Sequence, residues 1–543
     1  MKIKILKRIL AAVLASSSIM MAPGGASAVK KIKDSTKKQS QTKKQLKQNA
    51  DSKTENMGKN QSGKKIYSIV KIHKNKQTEK DQKNNELKKF EDFLEKPLKT
   101  SLERKDFVKT ISDLTQKNSI QNHPQNIISK TISKLLPLIS DKDVALDAAE
   151  AVDDLINLTD WPKNCSKDEA LKTINGLTGC FGNKSAEENA TSAINGLASN
   201  NAWAKNCSEE EIFEILDVFG EFVCKCADKD ALRNIVCAVS NLMYENEYIK
   251  ECCRVKIPEI LNMFRECAKY ESSQEDVACA LDSFIFQGLF SECLKSQSMS
   301  IVYILEMCTN GRSPYFVSSA IFEMASQVAF KDWFEIEILK VIGILNFCVS
   351  GDALDGQEYV AKTISELAQR GLMSQIIKKD MIDVTNLLAW LCENGKTDYR
   401  PDAAEAFRFL ASNGLIDSFD KGDMLRIIDA LAKCAEGCNS SKKHVSRAIL
   451  EFSKRNLLFS YSKEEIQKTL NLLDFCAENP DAVENVSNAV LVLAKKNLLK
   501  DFSKEEIFKI SSKLSKYAVC DEACGKSVQE TASFLNEIAD LKI

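Results

Sequence analysis

The chain has 543 residues, 44% of them apolar and 28% charged, with only 9 prolines and 20 glycines. That is length for three or four ordinary domains or one extended array. It is too little punctuation for a sandwich, a propeller or a collagen-like chain, so a helical protein is expected. The formal net charge of −1 conceals a segregation: the first 28 residues carry +4, residues 29–89 carry +13, and Phe90–Ile543 therefore carries −18.

Lys2, Lys4, Lys7 and Arg8 precede a mostly apolar stretch from Ile9 to Ala22, and Ala26-Ser27-Ala28 has the small-x-small pattern of a cleavage site. Residues 1–28 thus read as a secretory signal peptide, cut near Ala28, with an uncleaved anchor as the other reading. No later segment offers the roughly 20 apolar residues of a membrane span, so a secreted, extracytoplasmic and soluble mature chain is expected, with no transmembrane helix. Residues 29–89 hold 19 Lys against six acids and few large apolar side chains. Such a stretch buries too little to offset its ordering entropy and is expected to be a disordered basic arm. It suits an anionic surface such as a cell-wall polymer, an anionic membrane or nucleic acid, though no specific nucleic-acid motif is present. A solvated tether is the alternative.

Beyond the arm the sequence repeats. Taking Val486–Leu499 as a template, copies begin at Phe107, Ala148, Ala190, Ile235, Val277, Val317, Val360, Ala403, Val445, Val486 and Val528, at spacings of 40 to 45 residues. The fourth position is always small, from Thr110 and Ala151 through Ala489 to Thr531, and the eighth always large and apolar, from Leu114 and Leu155 through Leu493 to Leu535. Positions one, four, five and eight share one helical face, and the small fourth residue admits a neighbouring helix. Position twelve is usually Gly or Asn (Asn118, Asn201, Asn246, Gly288, Gly371, Gly414, Asn456, Asn497), the residues of a left-handed helix stop. This helix is called B. Its companion, helix A, opens on Ser-x-x-Glu capping boxes at Ser166/Glu169, Ser208/Glu211, Ser462/Glu465 and Ser503/Glu506.

A pair of helices per 42 residues cannot bury its apolar faces alone, so successive pairs must stack. The expected fold is all-α: a right-handed superhelical α-solenoid of about eleven helical-hairpin repeats over residues 90–543, at helix spacings of about 10 Å roughly 100 Å long. In period and helical pattern this resembles the armadillo/HEAT class of solenoids. The resemblance implies an architecture and no particular function. Importin-type armadillo proteins hold an extended peptide with an Asn just before the helix-B Leu; here only Asn241 matches, so that clamp is not carried over.

Nineteen cysteines would ordinarily suggest a disulfide framework in a secreted chain. Cys180, Cys224, Cys267, Cys308, Cys348, Cys392, Cys434, Cys476 and Cys520 instead recur once per unit near the end of helix A, as small buried hydrophobes. Equivalent positions in stacked units lie about a helix spacing apart, beyond the 7 Å or so that a bridge spans, so a disulfide ladder is not expected; a bridge within one unit, as at Cys165 or Cys207, is left open. No doublet of cysteine pairs with a nearby His nominates a zinc site, and no cofactor is implied.

With only His73, His123 and His444, and no phosphate loop or His-Glu-x-x-His, no catalytic group is nominated. Two surfaces are. Positions three, six and ten of helix B, mostly polar, become Cys237 and Tyr244, Cys279 and Phe286, then Phe322 in three consecutive units, an apolar stripe for a protein or peptide partner unless it packs on a neighbouring helix. Lys454-Arg455 and Lys495-Lys496 are candidate anion contacts, although cations are expected in a helix's last turn anyway. The function expected is an exported, non-catalytic scaffold for a protein partner. Polyanion binding through the arm is the alternative, and an unrecognised hydrolase ranks lower.

Overall fold

The computed structural model describes residues 88–541 except short stretches at 117–122, 245, 291–293, 310–313, 328–329, 331–332, 351–355 and 519–521. The signal peptide and almost all of the basic arm lie outside the described residues. Residues 91–543 form one compact unit, and among the described residues there is no strand.

Positions one to eight of each copy fall inside one helix. The B row runs Ser101–Gln116, Ala145–Leu158, Lys184–Ala198, Leu232–Met243, Glu271–Phe286, Pro314–Ser326, Gln357–Gln369, Arg400–Ser412, Asn439–Lys454, Val483–Lys495 and Glu522–Asp540. Between them lie the A helices Gln125–Leu135, Lys167–Leu177, Glu209–Lys225, Ile257–Ala268, Lys295–Cys308, Glu335–Ser350, Lys378–Asn394, Lys421–Ala435, Lys463–Cys476 and Lys504–Ser515. Each B helix packs on the next along the row, and the B row is packed more closely than the A row. The small fourth position explains this: from Ala151 to Thr531 it is buried, and no bulk keeps the backbones apart. At Gly196 a β-carbon would collide with Ile156 and Asn157 of the preceding B helix. Within Glu91–Ile543 the chain is an α-solenoid of stacked helical hairpins.

The helix ends form as their residues dictate. All four Ser-x-x-Glu boxes close, each Ser accepting from the Glu backbone N–H and each Glu accepting from the Ser backbone N–H. Gly288, Gly371, Gly414, Asn456 and Asn497 all have positive φ, between 60° and 75°. The next residue's N–H then reaches back to the carbonyl of position eight, for example Leu415 to Leu410 at 2.9 Å and Leu498 to Leu493 at 3.1 Å. These are Schellman ends. Asn201 and Asn246 are corrections. Asn201 begins the 3-10 turn Asn201–Asn206 and its amide donates to the Asn241 carbonyl at 2.8 Å. Asn246 caps an additional helix, Glu247–Val255, accepting from the Ile249 N–H at 3.2 Å. The 45-residue spacing between the third and fourth copies already departed from the repeat there. Asn118 lies outside the described residues.

The once-per-unit cysteines Cys180, Cys267, Cys308, Cys348, Cys392, Cys434 and Cys476 are buried free thiols. Burial pushes those at 267, 308, 348 and 476 up to about 12, which makes them poor nucleophiles. Cys224 is exposed, contrary to the register, because the buried face of Glu209–Lys225 runs through Phe219, Phe222 and Val223; Cys226 is the buried thiol there and contacts Glu187 Oε2 at 3.2 Å. Cys520 lies outside the described residues.

Candidate interaction surfaces

Polar side chains at the two helix ends join one unit to the next. At the A-helix starts, the first lysine pairs with the N3 carboxylate of the following unit: Lys167 with Glu211, Lys421 with Glu465 and Lys463 with Glu506, all at 2.8 Å, and Lys295 with Glu337 at 2.7 Å. The same Glu therefore caps its own helix and receives its neighbour's cation. At the B-helix ends, position eleven reaches back to the last carbonyls of the preceding B helix. Gln327 donates to Ile285, Arg370 to Ser326 and Asn413 to Ala368, each at 2.7 Å, Arg455 to Ser412 at 3.3 Å, and Lys496 to Ser453 at 2.8 Å. The Ile285 and Ala368 carbonyls also accept a backbone N–H, from Gly288 at 2.9 Å and Gly371 at 3.0 Å, so there the side chain adds a second bond at the helix end. Sequence reading passed over both ladders, although Ser-Lys-x-Glu at 166, 462 and 503 was a visible signal for the first.

The second ladder places the four candidate anion contacts. Arg455 is held by Asp417, at 2.9 Å through Nε, as well as by the Ser412 carbonyl. Lys496 donates to the Lys454 carbonyl, to Asn456 Oδ1 and to Ser453, and burial lowers its pKa. Lys454 pairs with Glu451 at 2.8 Å, and Lys495 lies over the Phe534 ring at 5.7 Å.

The apolar stripe sits on three B helices that pack side by side. Phe286 is 61% exposed and Tyr244 40% exposed. Cys237 and Cys279 are half-buried, with Cys237 Sγ 3.5 Å from Asp276 Oδ1. Phe322 rests against Tyr359 of the next unit at 5.8 Å between ring centroids, and Tyr315 meets the same tyrosine at 5.3 Å. Carboxyls line this face. Burial raises Asp276, and it lifts Asp282 to about 7 against a hydrogen bond from Ser319. Oδ1 of Asp282 is buried with no hydrogen-bond partner. Three units away, burial likewise lifts Asp153 to about 7, although Ser192 and Asn157 hydrogen-bond to it.

A larger depression lies on the other row. Between Glu335–Ser350 and Lys378–Asn394 is a groove of about 660 Å³, with Leu339, Ile342, Val349, Leu387 and Trp390 on its walls and Asn346, Asp380, Asp383 and Asn386 among the polar groups. These two A helices touch sparingly, whereas Lys378–Asn394 packs closely on Lys421–Ala435. A space of about 30 Å³ between Lys463–Cys476, Val483–Lys495 and Lys504–Ser515 has room for one water at most. The pattern that located the B stripe did not reach the groove, because helix A repeats more loosely in sequence. Among the described residues no cluster of His, Cys, Asp and Glu is placed to hold a metal ion, and no helix is long and apolar enough to cross a membrane.

No protein family and no curated protein matches the sequence. Among solved structures, the chain is similar to one described for a phosphorylation switch controlling the interaction between cadherin and beta-catenin, with 12% identity, 83% of this chain and 99% of that chain covered, and a TM-score of 0.47. An engineered protein aligns at 16% identity over 82% of this chain and 98% of its own, with a TM-score of 0.31. Kap121p aligns at 12% identity over 84% of this chain and 54% of its own, with a TM-score of 0.27.

Proposed function

We propose that this helical repeat protein is an exported, non-catalytic scaffold whose B face, centred on Tyr244, Phe286 and Phe322, holds a protein partner. The observation that carries the reading is the division of labour among side chains. Polar groups at the helix ends join unit to unit, while Tyr244 and Phe286 stay exposed at the ends of two adjacent B helices, with Phe322 half-buried on the third, and burying them against a partner is favourable. His444 is engaged with Glu405 at 3.0 Å, and Glu405 also receives Arg408 at 2.8 Å, so this histidine serves an inter-unit contact. The leader and the cationic arm support export to an anionic surrounding.

The test is cross-linking mass spectrometry on the full mature chain in its native extract. Cross-links from one discrete protein to residues flanking Tyr244–Phe322, lost in a Phe286→Glu variant, are expected. Failure to find a discrete partner overturns the reading. Export is tested separately by the N-terminus of the mature chain, expected at Val29. The charge segregation supports a second reading, retention on a polyanion by the arm. In that case deleting residues 29–89 abolishes retention at low salt and leaves no partner on the B face.

A further inference from the structure

We propose that the groove between Glu335–Ser350 and Lys378–Asn394 is a docking site for a short cationic amphipathic helix of a partner protein. The inference rests on the scaffold reading and adds a second face with a stated partner chemistry.

Shape comes first. From Leu339 to Val349 the groove follows about three turns of helix, or about 15 Å at 1.5 Å per residue, enough to seat a guest helix of ten or so residues. Its lining is mixed, Ile342, Val349 and Leu387 being nearly buried and Leu339 and Trp390 more open beside Asn346, Asp380, Asp383 and Asn386, and at its middle a β-carbon built on Gly343 would meet nothing within 4 Å, so no native side chain fills the space. Helical periodicity continues the apolar face at the entrance, where Ile336 is 77% exposed and the Ile377 N–H donates to Glu335 at 3.1 Å. Trp390, 37% exposed, stands on the rim as an aromatic anchor. A helix laid into such a trough offers apolar residues at i, i+3, i+4 and i+7.

Charge selects the guest. Along the A-helix starts, carboxylates such as Glu211, Glu337, Glu465 and Glu506 are matched by lysines. Asp380 and Asp383 have no ion-pair or side-chain hydrogen-bond partner among the described residues. Asp380 lies in a first helical turn, where the helix dipole welcomes it. Asp383 is one turn further on and has no such reason. Two unmatched carboxylates beside an apolar trough favour lysine or arginine on the guest's polar face, where Trp390 adds a cation–π surface. The folded part of a second copy, Phe90–Ile543, carries −18 and is disfavoured by charge, and the cationic residues 29–89 hold few large apolar side chains to fill the trough.

The test uses the full mature chain and three synthetic 15-residue helices: leucine at i, i+3, i+4 and i+7 with lysine elsewhere, the same with glutamate for lysine, and a scrambled lysine version. Trp390 fluorescence and calorimetry both report, because Trp161, Trp203 and Trp333 are buried. The lysine helix is expected to bind at least ten-fold more tightly than either control. Asp380→Asn with Asp383→Asn is expected to weaken it about ten-fold, and Gly343→Phe, which fills the empty centre, to abolish binding while leaving the circular dichroism unchanged. Equal binding of the glutamate helix, undiminished binding by either variant, self-association through the groove, or binding seen only after removal of residues 29–87 would overturn the proposal. If native cross-links then map to the B face, the scaffold reading survives its loss.

Discussion

At Asp282 and Asp153 the fold holds carboxyls near pH 7 that titrate near 4 in an unfolded chain, because burial disfavours their charged forms. Between those values the folded state binds protons that the unfolded state does not, so stability falls as pH rises from about 4 to about 7 and levels off above. Glu405 runs the other way: burial opposes its ionisation, but hydrogen bonds from His444 and Arg408 prevail and hold it at about 2. Its stabilisation is full above the ordinary carboxylate range and fades only as pH falls from there towards 2. Thermal melts at pH 5 and pH 8 are therefore expected to differ by several degrees, the higher Tm at pH 5, and Asp282→Asn with Asp153→Asn should remove most of the difference, leaving the part due to Asp402, which burial lifts to about 6. At Asn497, with φ of 60°, replacement by Ala is expected to cost about 1 kcal/mol while Gly is neutral or stabilising, read as the urea midpoint. This stop was legible because a Gly or Asn at position twelve carries its conformational preference wherever it stands.

For an element, the decisive features are its ends and its one small face. Ser503 caps the helix Lys504–Ser515 through the backbone N–H of Glu506, which also pairs with Lys463 of the unit before. Ser503→Ala is expected to cost about 1 kcal/mol. Lys463→Met, removing a half-exposed pair, should cost about 0.5 kcal/mol and lose even that at high salt. Ala448 meets the preceding B helix Arg400–Ser412 where the row is tightly packed. Enlarging it in Ala448→Leu should destabilise by about 1–3 kcal/mol, measured by denaturant unfolding. The capping boxes and small positions were readable as local patterns of types and spacings. The return of position eleven to the previous unit was not, since Gln327, Arg370, Asn413, Arg455 and Lys496 are of four residue types and share only a geometry some 42 residues long.

In the array as a whole, each unit leans on its two neighbours and contacts stay short in sequence, so stability is close to a sum of units and interfaces. The first B helix has a neighbour on one side in its row, and Thr110 and Leu114 there are only half-buried where later copies are buried. Hydrogen exchange is expected to be fastest in Ser101–Gln116 and slowest in the closely packed B helices between Gln357 and Lys495. Uniform protection across the array would contradict neighbour-limited cooperativity.

The succession of hairpins, the faces they bury and several of their termini were settled by residue pattern, because hydrophobic period, capping chemistry and left-handed stops act within a few residues of one another. Which exposed aromatics face a common surface, where Lys496 and Arg455 direct their charge, and that Glu335–Ser350 stands away from Lys378–Asn394 were decided by stacking. Those outcomes depend on the distance between backbones of successive units, set jointly by side chains from two or three repeats at once, and no single stretch of chain encodes it.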